Sequence, residues 1–282
     1  MKTGLVMEGG AMRGLFTAGV TDVLMQAGVT FDGAMGVSAG AAFGCNYKSG
    51  QIGRVLRYNM KYSRDPRYCS LRSLVFTGDL FGADFCYRQI PEKLDVFDEA
   101  AYNKNPMAFY TVCTDVETGE GVYHLCAKAG RESLEWFRAS ASMPLAARMV
   151  KVDGRKMLDG GVADSIPLKA FEQMGYERNV VILTQPKGFK KEKNPLLPLF
   201  RVVYRRYPRL VEALEKRHES YNAALAHVEK QEKAGKALVI RPAAALPISR
   251  LEHDPQRMQA VHGLGVKAGE KHLEEIKAFL AK

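Results

Sequence analysis

Ser38 stands at the centre of Gly36-Val37-Ser38-Ala39-Gly40. This G-x-S-x-G spacing fits a strand that turns sharply into a helix with a serine at the apex. Glycine on either side removes the Cβ atoms that such a turn would bring into collision. The Ala39 N–H and the helix dipole favour negative charge beside the serine oxygen, and the hydroxyl is expected to project into solvent. A serine is a poor nucleophile until a base within hydrogen-bond reach removes its proton, and the tetrahedral intermediate needs N–H donors for its oxyanion. In a chain with 26 glycines the pentapeptide alone also fits a structural turn around a buried serine, so the other two parts of an acyl-transfer site decide between the readings.

The donors are sought in Glu8-Gly9-Gly10-Ala11-Met12-Arg13-Gly14, which follows the apolar run Leu5-Val6-Met7 and opens a helical pattern. Consecutive N–H groups of Gly9, Gly10 and Ala11 can face an anion there. Nucleotide phosphate binding is the competing reading, but Ala11 stands where G-x-G-x-x-G needs glycine, and no acid ends the second strand. For the base, Asp159 ends a strand and is followed by Gly160 and Gly161, which allow close approach. Asp153 and Asp164 compete, although a hairpin turn and a loop or helix cap suit them better. A Ser-Asp-His triad would instead draw on one of His124, His218, His227, His253, His262 and His272, most simply His253 or His262. Against it, an α/β-hydrolase normally has several strands before its elbow, and here one precedes it.

The elements needed to carry these residues follow from the hydrophobic pattern. Residues 2–7 and 33–37 read as short buried strands, with a helix over 15–27 between them and an elbow helix over 38–49, an arrangement that implies parallel strands with a crossover helix. Residues 51–105 have no clean period and read as short helices alternating with loops that could cap a site. Hairpins are expected over 106–125 and 148–158, the second turning at Asp153-Gly154, with a helix over 131–141 and a last core strand over 180–184. Beyond Gln185 come a basic loop over 187–194, a long charged helix over 210–233 with Leu210, Leu214, Tyr221, Leu225 and Val228 along one stripe, a strand over 237–240 and a helix over 256–280. A boundary is placed near residue 186, giving a 1–186 domain and a basic, mainly helical extension over 187–282.

The 282 residues are 46% hydrophobic and 26% charged, ordinary for a globular chain that buries its own core. Five scattered cysteines without a C-x-x-C pair argue for reduced thiols in a cytosol and against a disulfide framework or structural zinc. The sequence enters the apolar run Gly4-Leu5-Val6-Met7 at once, with no h-region or cleavage site, and holds no stretch of about 18 apolar residues, so neither a signal peptide nor a transmembrane helix is expected. The formal charge of +10 is uneven: residues 187–236 hold thirteen Lys and Arg against six Glu and no Asp. Such a segment suits an anionic partner, or is simply a solvated helical face.

Together, Gly9-Gly10-Ala11-Met12-Arg13-Gly14, Gly36-Val37-Ser38-Ala39-Gly40, Ala139-Ser140-Ala141-Ser142-Met143-Pro144 and Asp159-Gly160-Gly161 resemble the patatin-like phospholipase family, in the family's order and over roughly residues 4–185. The resemblance implies a three-layer α/β/α fold with a mostly parallel sheet. It also implies a lipid acyl hydrolase of phospholipase A or lysophospholipase type, working without cofactor or metal. Ser38 would be the nucleophile and Asp159 the base of a dyad without histidine. Gly9, Gly10 and Ala11 would form the oxyanion hole with Arg13 closing the loop, and Gly36, Gly40, Gly160 and Gly161 would support the motifs. Ala11 departs from the glycine usual in that loop, so the hole depends on whether φ there tolerates a Cβ. A lipid or ester substrate is expected, with no nucleic-acid partner, and a cytoplasmic location with peripheral contact on the inner face of an anionic membrane. The alternative is a catalytically weak, membrane-docking or regulatory protein on the same fold.

Overall fold

The computed structural model describes residues 1–281. Strands Lys2–Met7 (β1), Gly33–Val37 (β2), Ala108–Asp115 (β3), Gly121–Leu125 (β4), Val150–Val152 (β5), Arg155–Asp159 (β6), Tyr176–Ile182 (β7) and Ala237–Ile240 (β8) form one sheet. Its order is β5-β6-β3-β2-β1-β7-β8, with β4 also paired to β3. β1, β2, β3, β7 and β8 run parallel, while β4 and β6 are antiparallel to β3. Parallel strands covered on both faces read as continuous apolar runs, as in Leu5-Val6-Met7. Side chains alternate between the two faces: Leu5, Met7, Val180 and Ile182 enter one core, and Val6, Met35, Val37, Val181 and Leu183 the other.

On the first face lie helices Gly14–Gln26 (α1), Ala39–Ser49 (α2), Arg54–Tyr62 (α3), Arg131–Ser140 (α6) and Pro255–Leu280 (α10). Leu168–Gln173 (α7) and Pro208–Lys233 (α9) cover the second. The expected α/β/α layering with a mostly parallel sheet is therefore the observed one. Leu71–Thr77 (α4), a π-helical turn over Phe85–Leu94 with Pro91 inside it, and Glu99–Lys104 (α5) complete the segment without a clear period. α7 and Leu197–Val203 (α8), each one or two turns long, are too short to show a period in the sequence. The stripe on α9 is as expected, with Leu210, Leu214, Tyr221 and Val228 buried.

Residues on both sides of position 186 share this sheet, because β8 pairs in parallel with β7. The helix α10 starts at an N-cap, where Asp254 accepts from Gln256 N–H at 2.9 Å with Pro255 in the first turn. It then lies against α1 with backbones in close approach. A Cβ on Gly265 would run into the Phe16 carbonyl, and one on Gly19 into the His262 carbonyl. This contact explains why α1 is buried from Gly14 through Leu24 rather than along a single stripe.

One edge of β3 sets the geometry of the site. Val112 pairs with Val37 and with Tyr123, and Cys113 pairs with Asp159 and with Val122. Since β4 takes one edge at both positions, β2 and β6 must share the other, running head to head. Their ends, Val37 and Asp159, face consecutive residues of β3.

The α1–α10 contact is tested by a pair of substitutions in one helix. Gly265→Leu should lose about 3 kcal/mol or more, or fail to fold, because backbone cannot give way. A Cβ on Gly263 meets nothing within 4 Å, so Gly263→Ala should gain about 0.5–1 kcal/mol in urea denaturation.

Candidate functional site

Ser38 follows β2 directly and caps α2 with φ +54 and ψ −120. It is one of four residues other than glycine with positive φ among those described. The turn holds because its flanks have no Cβ: one on Gly36 would strike the Gly40 carbonyl, and one on Gly40 the Met7 carbonyl. Ser38 N–H donates to Ser140 Oγ at 2.8 Å, and Ser140 Oγ–H donates to Val112 O at 2.5 Å. Ser140 at the end of α6 thus ties the elbow to β3. Ser38 is only 8% exposed. It does not project into solvent as the turn alone suggested, because residues 51–105 and α6 close over it.

The Ser38 hydroxyl donates to Asp159 Oδ2 at 2.7 Å. Asp159 is 5% exposed. Its Oδ1 accepts from Gly161 N–H at 2.7 Å, its N–H donates to Ser142 O at 2.8 Å, and its carbonyl accepts from Thr114 Oγ1 at 2.8 Å. Burial raises its pKa above the usual carboxylate range, against the opposing pull of Arg217, the Ser38 hydroxyl, the Gly161 N–H and Lys191. A Cβ on Gly160 would collide with the Val112 carbonyl, so β6 reaches β3 only with glycine there. The competitors lie elsewhere. Asp153 sits with φ +47 in the β5–β6 turn, and Asp164 accepts from Tyr123 OH at 2.9 Å and Ile166 N–H at 3.2 Å.

The glycine-rich loop lies against the elbow: a Cβ on Gly9 would come 3.0 Å from Ser38 Cβ. Gly10 O accepts from Arg13 N–H at 3.2 Å and from Arg13 Nε at 3.4 Å. In a trans peptide the carbonyl and the next N–H point opposite ways, so anchoring Gly10 O turns the Ala11 N–H away from Arg13. Among the described residues, neither Gly10 N–H nor Ala11 N–H has an acceptor. Ala11 takes φ +50. The residue that replaces the usual glycine thus sits in the left-handed region, where a Cβ costs about 1–2 kcal/mol.

No imidazole reaches this pair among the described residues. His124 stacks on Trp136 with ring centres 4.0 Å apart. Nδ1 of His253 lies 2.7 Å from Ser63 O, Nε2 of His262 2.8 Å from Asp22 Oδ2, Nε2 of His227 2.7 Å from Glu172 Oε2, and Nδ1 of His218 3.0 Å from Glu215 O. His272 lies on α10, far along the chain from the elbow, with its Nδ1 buried and without a partner. Among the described residues no three His, Cys, Asp or Glu side chains converge as metal ligands.

Beside Ser38 opens a mainly apolar pocket, walled by Phe43, Tyr58, Phe81, Ile90, Phe137 and Met143 and reaching Ala11 and Met12. The aperiodic segment over 51–105 supplies much of this wall. Sequence reasoning also passed over Glu8, which is buried directly beneath the loop. Its Oε2 accepts from Thr184 N–H at 2.5 Å and Thr184 Oγ1 at 3.1 Å, and its Oε1 accepts from Tyr221 OH at 2.5 Å. Burial raises its pKa, against Tyr221, Thr184 and Arg13. A charged residue closing an otherwise apolar strand was the available signal. In the sequence, Tyr221 shows only as part of the apolar stripe of α9.

A family model described as patatin-like phospholipase matches residues 5–172, and a second, described as a domain of unknown function (DUF6363), matches residues 207–281. The uncharacterized protein YjjU of Escherichia coli is 34% identical over 192 residues, covering 64% of this chain and 52% of that protein. The patatin-like phospholipase domain-containing protein ZK370.4 of Caenorhabditis elegans is 27% identical over 61% of this chain, and the neuropathy target esterase sws of Drosophila melanogaster 25% identical over 64%. The matched stretch spans about half of YjjU and only 13% and 12% of the other two. The first model takes in the glycine-rich loop, the elbow, Ser140 and Asp159 and covers more than half of the sequence. The chain belongs to the patatin-like phospholipase family.

Proposed function

We propose that this protein is a serine acyl-ester hydrolase acting on lipids, of phospholipase A or lysophospholipase type, with Ser38 as nucleophile and Asp159 as base. The observation that carries it is the 2.7 Å hydrogen bond from Ser38 Oγ to Asp159 Oδ2 beside an apolar pocket. In the reading it supports, the acyl chain lies in the pocket and the ester carbonyl faces Ser38. Ser38 Oγ attacks the carbonyl carbon and its proton passes to Asp159 Oδ2. The Gly10 and Ala11 N–H groups, which have no acceptor among the described residues, stabilise the oxyanion. Collapse breaks the ester bond, and the leaving alcohol takes the proton from Asp159. Water then attacks the acyl-serine as Asp159 takes its proton, and collapse breaks the bond to Ser38 Oγ, which receives that proton from Asp159 as the acid leaves. A free aspartate, at about 3.9, is a weak base near neutrality. The burial that raises Asp159 makes it a stronger one.

The surface of the C-terminal segment fits work at a lipid interface. Arg201, Arg205 and Arg206 are exposed together with Leu199, Val202 and Val203 on and just after α8. No helix among the described residues is long and apolar enough to cross a membrane, so the contact we propose is peripheral.

Ser38→Ala should fold normally and lose both ester hydrolysis and labelling by a fluorophosphonate probe; a labelled Ser38→Ala protein would exclude Ser38 as the nucleophile. Asp159→Asn should lose about 10²-fold or more in rate yet be no less stable. The carboxyl has a folded pKa above its unfolded one, so its favourable contribution is complete at low pH and disappears as pH rises through the folded value. The variant should therefore melt at or above wild type near about pH 8, and the difference should shrink as pH falls through the raised pKa. Wild-type rate should fall over that same acid range. Sedimentation with anionic vesicles should weaken as salt rises from about 0.1 M to about 1 M, which shortens the Debye length from about 10 to about 3 Å; equal, salt-independent binding to neutral vesicles would make α8 an ordinary solvated face.

A further inference from the structure

Four basic side chains gather at the site without lining the apolar pocket. Arg217 on α9 donates Nε to Gly161 O at 2.5 Å. The point where Gly161 would carry a Cβ lies 3.3 Å from Arg217 Nη2 and 3.0 Å from Asp159 Oδ1, so the guanidinium stands beside the base. Lys191, in the loop after β7, is held by a reciprocal pair with Asn222: its N–H donates to Oδ1 at 2.9 Å and its carbonyl accepts from Nδ2 at 3.0 Å. Its ammonium sits 4.1 Å over the ring of Tyr221, whose hydroxyl binds Glu8. Arg13 is anchored on Gly10 O, and Arg250 comes from the loop before α10.

Some basic residues of this segment have acidic partners: Arg201 pairs with Glu215, and Arg209 and Lys216 both pair with Glu212. Among the described residues, Arg13, Lys191, Arg217 and Arg250 have no carboxylate within ion-pair distance. The group feels its own repulsion. Burial brings Lys191 down to about 8, with Arg217, Arg250 and Arg13 pushing the same way and Glu8 opposing them. Burial also lowers Arg13 and Arg217, opposed by Glu8 in the first case and by Asp159 in the second, while Arg250 adds to the lowering of both. Arg13, Lys191 and Arg217 are half-buried and Arg250 is exposed at their edge; crowded cations without a carboxylate in ion-pair contact are unfavourable until an anion shares their charge. The groups on offer are all donors: a lysine ammonium and the forks of arginines, a set that matches the several acceptor oxygens of a phosphate.

We propose that Lys191, Arg217 and Arg250, with Arg13, form a subsite for the phosphate of a lipid head group, placing it beside Asp159 while the acyl chain occupies the apolar pocket. The proposal rests on the hydrolase reading above and gives the C-terminal segment, whose family model carries no assigned function, a part in choosing the substrate. The ester favoured is that of a glycerophospholipid or its monoacyl form over a neutral glyceride.

The test compares a 1-acyl-glycerol 3-phosphate with the monoacylglycerol of the same chain, in wild type and in a Lys191→Gln/Arg250→Gln double variant. Arg217 is spared because it also holds Gly161. Wild type should prefer the phosphate-bearing ester by about tenfold or more in kcat/KM, through KM, and the double variant should lose most of that preference, as expected for charge-assisted contacts. A binding arm needs no turnover: sn-glycerol 3-phosphate should raise the melting temperature of Ser38→Ala, and should not do so once Lys191→Gln and Arg250→Gln are added. Turnover of both esters without preference overturns the subsite and leaves the hydrolase standing. A melting shift given equally by inorganic phosphate, with no substrate preference, makes this a free-phosphate site and overturns the head-group assignment. Failure to hydrolyse either ester, with a shift specific to glycerol 3-phosphate that the double variant loses, sinks the hydrolase reading and upholds the phosphate subsite.

Discussion

The two strand ends that meet on one edge of β3 are the constraint on which the rest of the site depends. Val37 and Asp159 occupy adjacent rungs, opposite Val112 and Cys113. One strand arrives parallel and the other antiparallel, so each ends where the other ends. Backbone pairing, rather than a chain of flexible side chains, brings the serine and the aspartate together. Ser140 strengthens the junction by bridging Ser38 N–H to Val112 O, and Gly160 permits it because any Cβ would enter that same carbonyl. A site assembled on strand ends keeps its geometry better than one assembled on loops alone.

The second support lies beneath the glycine-rich loop. Glu8 closes β1 and receives hydrogen bonds from Thr184 just past β7 and from Tyr221 on α9. A buried carboxylate is tolerated when several donors satisfy it. This one joins three distant parts of the chain at a single point, directly before Gly9 and Gly10. The segment after residue 186 is thereby connected to the site through Tyr221 at Glu8, with Lys191 over its ring, and through Arg217 at Gly161, besides sharing the sheet through β8.

Much of this was legible in the sequence where the signal is local. Strands β1 and β2 announce themselves as apolar runs, and the turn between β5 and β6 as Asp153-Gly154, both now seen with positive φ. The spacing around Ser38 and the two glycines after Asp159 single out residues that the structure brings into contact. What was not legible depends on pairing across distance. Nothing in Asp159-Gly160-Gly161 says that β6 runs against β3, and nothing in α9 says that Tyr221 turns its hydroxyl to Glu8 while its ring serves the core. The pocket wall over 51–105 was illegible for another reason. Three of its helices are of one to three turns, one of them a π-helical turn containing Pro91, and the wall draws on residues scattered through the segment, such as Tyr58, Tyr68, Phe81, Ile90 and Phe97, rather than on one periodic face.

The backbone contact between α1 and α10 bears on how the molecule is made. Roughly 230 residues separate the two helices along the chain, an interval of about 10–50 s of synthesis at ordinary translation rates. During that interval Phe16, Val20 and Val23 on the nascent chain lack the helix that finally covers them, and β7 lacks its neighbour β8. Contacts of such long range are slow to form and leave apolar surface open meanwhile. The apolar side of α1 therefore stays uncovered until α10 has been made and can dock on it.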